Sequence, residues 1–140
     1  MFQRGLTPPD PFRERPLFER VRTQDGMSLA TMLEMGRVLV VCLPPGPPRK
    51  WLARVAAARR GIEGEGARLL LVTIEDDPAD ALREHDLQYV ARCPDPGREL
   101  YRHFGFPEGR KLGLFGAEQK GGTALLEGDQ VLRTDASPPS

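Results

Sequence analysis

Cys42 and Cys93 are the two thiols of the 140-residue chain. Ionised, a cysteine can attack a peroxide or a disulfide, or ligate a metal. These two stand too far apart for metal-ligand spacing and are too few for a secreted disulfide scaffold, so both are expected as reduced thiols. Cys42 lies inside an apolar run and reads as a small buried residue. Cys93 precedes Pro94 at a strand end, where partial exposure is expected, which makes it the better candidate for reaction or for cross-linking chains.

Other groups offer weaker chemistry. Glu75, Asp76 and Asp77, followed by Asp80, gather the oxygens a hard cation would use. Asp77 before Pro78 is already accounted for as a helix cap, so no metal is expected. Arg49 and Lys50 open a helix and sit against its dipole, an arrangement that a bound phosphate or carboxylate would ease. Trp51 beside them is read as packing under the loop rather than as an interface anchor. His85 and His103 fall near helix ends, where a surface cation is mildly favourable. The sequence shows no Ser/His/Asp set, phosphate-cradling glycine loop or zinc spacing, and no cofactor is expected.

Composition narrows the classes further. One domain is the expectation for this length, and 39% hydrophobic residues suffice for a single core. Twenty basic residues against twenty acidic ones leave no net charge, so nucleic acid is set aside as a partner. No stretch approaches the ~20 apolar residues of a membrane helix, and residues 1–10 lack the apolar core of a secretion signal. A cytoplasmic protein without membrane contact is expected.

The elements that must position these groups follow from patterning. Residues 1–16 carry four prolines and read as an extended arm, 17–22 as an edge strand, and 28–35 as a short helix closed by Gly36. The unbroken run Val38-Leu39-Val40-Val41-Cys42-Leu43 is the pattern of a strand covered on both faces, hence the centre of the sheet. After Pro44-Pro45-Gly46-Pro47-Pro48 comes a helix over 49–60, with Leu52, Val55 and Ala56 on one face and Gly61 marking its end. A second buried strand over 68–74 completes a right-handed crossover with parallel strands. Pro78 opens a short helix and 88–92 reads as a short strand. Asp95-Pro96 starts a helix bearing Leu100 and Phe104, which stops at Gly105. Residues 106–122 are mostly loop. The segments 123–127 and 130–134 flank Gly128-Asp129 as a closing hairpin, and 135–140 is expected to be a disordered tail.

This order of elements, with Gly36-Arg37-Val38-Leu39-Val40-Val41, Arg49-Lys50-Trp51-Leu52-Ala53, Leu70-Leu71-Val72-Thr73, Asp95-Pro96-Gly97-Arg98-Glu99-Leu100-Tyr101-Arg102-His103-Phe104-Gly105 and Gly121-Gly122-Thr123, resembles the peroxiredoxin-like branch of the thioredoxin-like superfamily. The resemblance spans residues 17–134. It implies an α/β fold, a central mixed sheet flanked by helices, with a redox cysteine or Cys-x-x-Cys pair between the central strand and the next helix. Aligning through Trp51-Leu52-Ala53 puts that pair at Pro45 and Pro48; aligning through Gly-Pro-x-Lys puts it at Gly46 and Arg49. Neither register holds sulfur. Pro47 and Pro48 also lack the N–H groups that help a helix start hold a thiolate. By fold analogy Cys42 and Cys93 lie two strand spacings apart, nearly ~10 Å and beyond disulfide reach, so no internal bridge is expected.

The function expected on this basis is that of a degenerate, non-catalytic binding or subunit-contact module. Its surface comprises Pro44, Pro45, Gly46, Pro47, Pro48 and Arg49 with Lys50 and Trp51. A second copy of the chain is the simplest partner, ahead of an unidentified protein. Two alternatives stand beside it: a thiol-dependent oxidoreductase using Cys93 or Cys42 between molecules, and small-anion binding at the Arg49 helix start.

Overall fold

The computed structural model describes residues 16–46, 48–74, 78–108 and 119–139. Five strands form one mixed sheet: β1 (Val38–Cys42), β2 (Arg68–Thr73), β3 (Ala91–Pro94), β4 (Gly122–Glu127) and β5 (Gln130–Asp135), in the order β3-β2-β1-β4-β5. The first three run parallel, joined by crossovers; β4 and β5 return antiparallel through the Gly128-Asp129 turn.

Alternation along the strands separates two cores. Val38, Val40 and Cys42 of β1 face α2 (Leu29–Glu34) and α5 (Glu99–His103) together with Leu70, Val72, Cys93, Ala124 and Leu126. Val41, Leu69 and Leu71 face α3 (Arg49–Gly64) and α4 (Ala79–Glu84), where Leu52, Val55 and Leu82 meet them. Because both faces are covered, β1 and β2 read as continuous apolar runs in the sequence. Each buried Val or Leu contributes on the order of 1.5–3 kcal/mol of transfer free energy.

Local signals set most boundaries. Ser28 caps α2, its hydroxyl accepting from the Thr31 N–H at 3.0 Å. Several boundaries differ from expectation, among them β5, which keeps Asp135, paired with Thr123, where the tail was expected to begin. Residues 17–20 form the one-turn helix α1 (Leu17–Arg20) instead of an edge strand, with the Glu19 N–H bonded to the Pro16 carbonyl at 2.9 Å. Helix α3 runs past Gly61 to Gly64, since a single glycine costs a helix only about 1 kcal/mol; Gly66, at φ +84°, supplies the left-handed stop. Strand β3 begins at Ala91, because residues 88–90 are spent on a turn. The 1–15 part of the arm, the Asp77 cap and residues 109–118 lie outside the described residues.

The two sheet edges are finished differently. Along β3, the Gln24 N–H donates to the Arg92 carbonyl (3.0 Å), while the Gln24 side-chain oxygen accepts from the Arg92 N–H (2.8 Å). Along β5 all six residues are exposed, Val131 and Leu132 at 41% and 42%.

Candidate functional site

The carboxyl ends of β1 and β2 form the edge where an open α/β sheet places its functional groups. Leu43 extends β1 by one residue, fully buried, its N–H bonded to the Val72 carbonyl at 2.9 Å. Pro44 and Pro45 follow half-buried, and Gly46 is exposed at φ +57°, a left-handed turn suited to glycine. Pro47 lies outside the described residues. Pro48 is the N-cap of α3, and its carbonyl accepts from the N–H groups of Trp51 (3.0 Å) and Leu52 (3.2 Å). Arg49 and Lys50 point to solvent, and Trp51 is half-buried against the Leu52 and Val55 core.

Helix α3 begins at Arg49, where it was expected, with Pro48 just before it as N-cap, so the first helical N–H groups belong to Arg49 and Lys50 and are present.

Two contacts seat the loop. From below, the buried Tyr101 hydroxyl donates to the Leu43 carbonyl at 2.6 Å, with the Val72 carbonyl 3.1 Å away. From the side, Gly121 lies against β1 so closely that a Cβ there would stand 2.5 Å from the Cys42 oxygen and 2.7 Å from Pro44 Cδ. Gly122 is equally confined, by the Phe106 ring. Neither glycine has a positive φ; the constraint on both is space.

Both thiols are free and wholly buried. Cys42 pairs in register with Val72, and Val72 with Cys93, so the three form one row across the sheet. Two strand spacings of ~4.8 Å separate the thiols, too far for a disulfide. Burial pushes both thiols up, Cys93 to about 12, and the neighbouring Asp95 carboxylate adds to the effect; for Cys42, Cys93 adds further. Neither is a thiolate near neutral pH. The expected partial exposure of Cys93 is therefore corrected. Strand alternation turns its side chain to the same covered face as Val72 and Cys42, and Pro94 takes the outward position.

Asp95 joins this buried group from the start of α5. Its N–H bonds the Thr73 carbonyl at 2.6 Å, and its carboxylate accepts from the N–H groups of Glu99 (3.0 Å) and Leu100 (2.8 Å). Desolvation raises its pKa, partly offset by these N–H groups. Asp95 was expected to cap a helix beginning at Pro96. The helix begins at Glu99 instead, after a turn through Pro96 and Gly97 that ends on Arg98 at φ +58°, and the carboxylate reaches forward to cap it. Burial also pushes the Tyr101 hydroxyl well above its ordinary range, with Cys42, Asp95 and Cys93 adding to the shift.

The remaining candidates are dispersed. Asp80 is exposed and pairs with Arg83 at 2.9 Å, while residues 75–77 lie outside the described residues. His85 is half-buried, and the exposed His103 packs edge-on against Phe18 with ring centroids 5.2 Å apart. Among the described residues, no cluster of three or more His, Cys, Asp or Glu side chains could hold a metal. No described helix is long and apolar enough to cross a membrane. Tyr101 was not singled out from the sequence. Its signal was the buried stripe Leu100, Tyr101 and Phe104, in which one ring carries a hydroxyl that must find a partner.

No protein-family model matches the chain, and no curated protein matches it in sequence. Solved structures do. Peroxiredoxin 6 of Arenicola marina superposes with a TM-score of 0.68 at 16% identity, over 96% of this chain and 66% of that one. Peroxidoxin BcpB from Mycobacterium tuberculosis gives 0.64 at 17% identity, over 81% and 77%. The bacterioferritin comigratory protein of Xanthomonas campestris, described for its alkyl peroxide reduction activity, gives 0.61 at 17% identity over the same shares. The chain thus has a thioredoxin-like α/β fold, and it shares that fold with peroxiredoxins.

Proposed function

We propose that this protein is a degenerate, peroxiredoxin-like member of the thioredoxin-fold proteins, acting as a non-catalytic binding or subunit-contact module. The loop Pro44 to Arg49, with Lys50 and Trp51, is its contact surface. One observation carries the reading: the segment between the central strand and α3 holds prolines and no sulfur, while both thiols of the chain are fully buried beneath it. Attack on a peroxide or disulfide requires an accessible thiolate, and burial opposes both accessibility and ionisation. The simplest partner is a second copy meeting the same loop about a two-fold axis. Two unpaired buried thiols suit a reducing compartment such as the cytoplasm.

The test is peroxide consumption, with thiol-specific alkylation of the native protein, on wild type, Cys42→Ser and Cys93→Ser. The expected result is no consumption above buffer in any of the three. If wild type consumes peroxide and one variant does not, the thiol-dependent oxidoreductase replaces this reading, with the silent variant naming the cysteine.

Anion binding at the start of α3 is a second reading, favoured by the N–H groups of Arg49 and Lys50 that Pro48 leaves in place. It predicts a rise in melting temperature with millimolar phosphate, lost in Arg49→Ala. An unchanged melting temperature would dismiss it.

A further inference from the structure

Helix α3 buries Leu52 and Val55 and turns its opposite side to solvent. With the ordinary helical repeat, that side consists of Lys50, Arg54 and Arg60 beside a lane of small residues, Ala53, Ala57, Gly61 and Gly64, all of them exposed. It carries no carboxylate. The acidic residue of the helix, Glu63, sits on a flank and pairs with Arg59 at 3.2 Å, and Glu65 lies past the end as the C-cap. Lys50, Arg54 and Arg60 make no ion pair among the described residues.

Three features of this side are unfavourable to the chain on its own. Lys50 and Arg54 stand four apart, where like charges repel. Lys50, with Arg49, opposes the helix dipole at its N-terminal end. Gly61 occupies the helix interior, where alanine is preferred, yet a Cβ there would meet nothing within 4 Å and its φ is not left-handed. Gly64 is equally open. Packing within the fold accounts for none of the three.

We propose that the outer side of α3 is a docking surface for an acidic helix of another protein, laid along Ala53, Ala57 and Gly61 with its carboxylates among Lys50, Arg54 and Arg60. Such a partner relieves all three features together: its negative charge offsets the crowded cations and the dipole, and the bared backbone at Gly61 lets the two helices approach at the short end of the usual interaxial range. The cations set its register. Nucleic acid would be met by the long basic side chains alone, with no use for a bared backbone, and this side has no large apolar residue to enter a membrane surface. A second copy of α3 brings only like charge. The surface starts at Lys50 beside the proline loop and runs away from it, so variants at Arg54, Arg60 and Gly61 test it separately from the loop contact.

The probe is a stapled helical Ala/Glu peptide as long as α3, its Glu residues spaced three and four apart, titrated into isotopically labelled full-length protein at low salt. Saturable shifts are expected at the amides of Ala53, Ala57 and Gly61. Arg54→Ala with Arg60→Ala should weaken binding about tenfold, an effect that shrinks in high salt. Gly61→Leu has open space in the free protein and should fold, yet weaken binding about tenfold by holding the helices apart. Gly61→Ala should raise the melting temperature of the free protein, as removal of an unneeded mid-helix glycine does. A fall instead would show that the fold itself requires glycine there, and would overturn the proposal. So would a helical peptide that fails to saturate, or a Gly61→Leu variant that binds like wild type. Equal binding by a proline-broken peptide of the same composition, a thymidine oligonucleotide or a phosphatidylserine vesicle would overturn it too.

Discussion

The Tyr101 hydroxyl, 2.6 Å from the Leu43 carbonyl, ties α5 to the residue just before the proline loop across 58 positions of sequence. The Val72 carbonyl beside it already accepts from the Leu43 N–H, so the single hydroxyl proton belongs to the shorter bond. One buried ring thus joins α5 to the sheet where the loop departs.

Tyr101→Phe keeps the ring and deletes the donor. A buried carbonyl left without it should cost about 1–3 kcal/mol. Urea unfolding should show the midpoint falling with an unchanged slope. A midpoint equal to that of wild type would mean that water or another donor serves Leu43.

The raised thiols give stability a defined alkaline limit. The folded chain holds the Cys93 proton to about pH 12, against an ordinary value near 9, and Cys42 shifts in the same sense. Above the ordinary value the unfolded chain releases these protons while the folded one retains them. Their contribution is therefore whole below about pH 9 and is lost as pH rises towards about 12. Cys93→Ala should flatten part of that decline in melting temperature between pH 9 and 11. In native protein at pH 7.5, a thiol reagent should label neither cysteine on the timescale on which urea-unfolded protein is fully labelled.

Asp95 is held by two N–H groups but is costly to bury as an anion. Asp95→Ala removes both acceptors and should cost about 0.5–2 kcal/mol, as the loss of a helix cap does. Asp95→Asn retains one acceptor and needs no buried charge, so it should lose clearly less. Thermal melts of both variants at pH 7 check the order.

Gly121→Ala and Gly122→Ala introduce a methyl where there is no room. In the first it meets the Cys42 oxygen and Pro44, in the second the Phe106 ring. Overpacking of this kind costs about 1–3 kcal/mol. Gly121→Ala should in addition perturb the Trp51 fluorescence through the displaced loop, whereas Gly128→Ala, at an open turn, should leave that fluorescence unchanged.

Much of this architecture was legible because its cause is local. The runs at β1 and β2 declare strands covered on both sides, and Gly128-Asp129 between two alternating segments declares the hairpin. Cys93 was misread because its neighbour Pro94 signals a strand end, while exposure is decided by register: only the pairing to Val72 shows which face the thiol shares. Arg98 in a left-handed turn, which delays α5 by three residues, has no composition signal, since such turns usually take glycine. That the proline loop carries no sulfur is read directly from the sequence. The residues that seat it, Tyr101 from beneath and Gly121 from the side, are not, because both act through contacts distant in sequence.

The unequal rims of the sheet bear on how copies of this chain can meet. Gln24 stoppers the β3 rim as an extra strand would, so no second molecule can lengthen the sheet there. Among the described residues nothing pairs with the outer side of β5, the kind of edge against which a second strand could lie antiparallel. Any zipping together of such rims spends both at once and leaves stoppers facing outward. Growth by that route halts at a pair and cannot run on into a fibre.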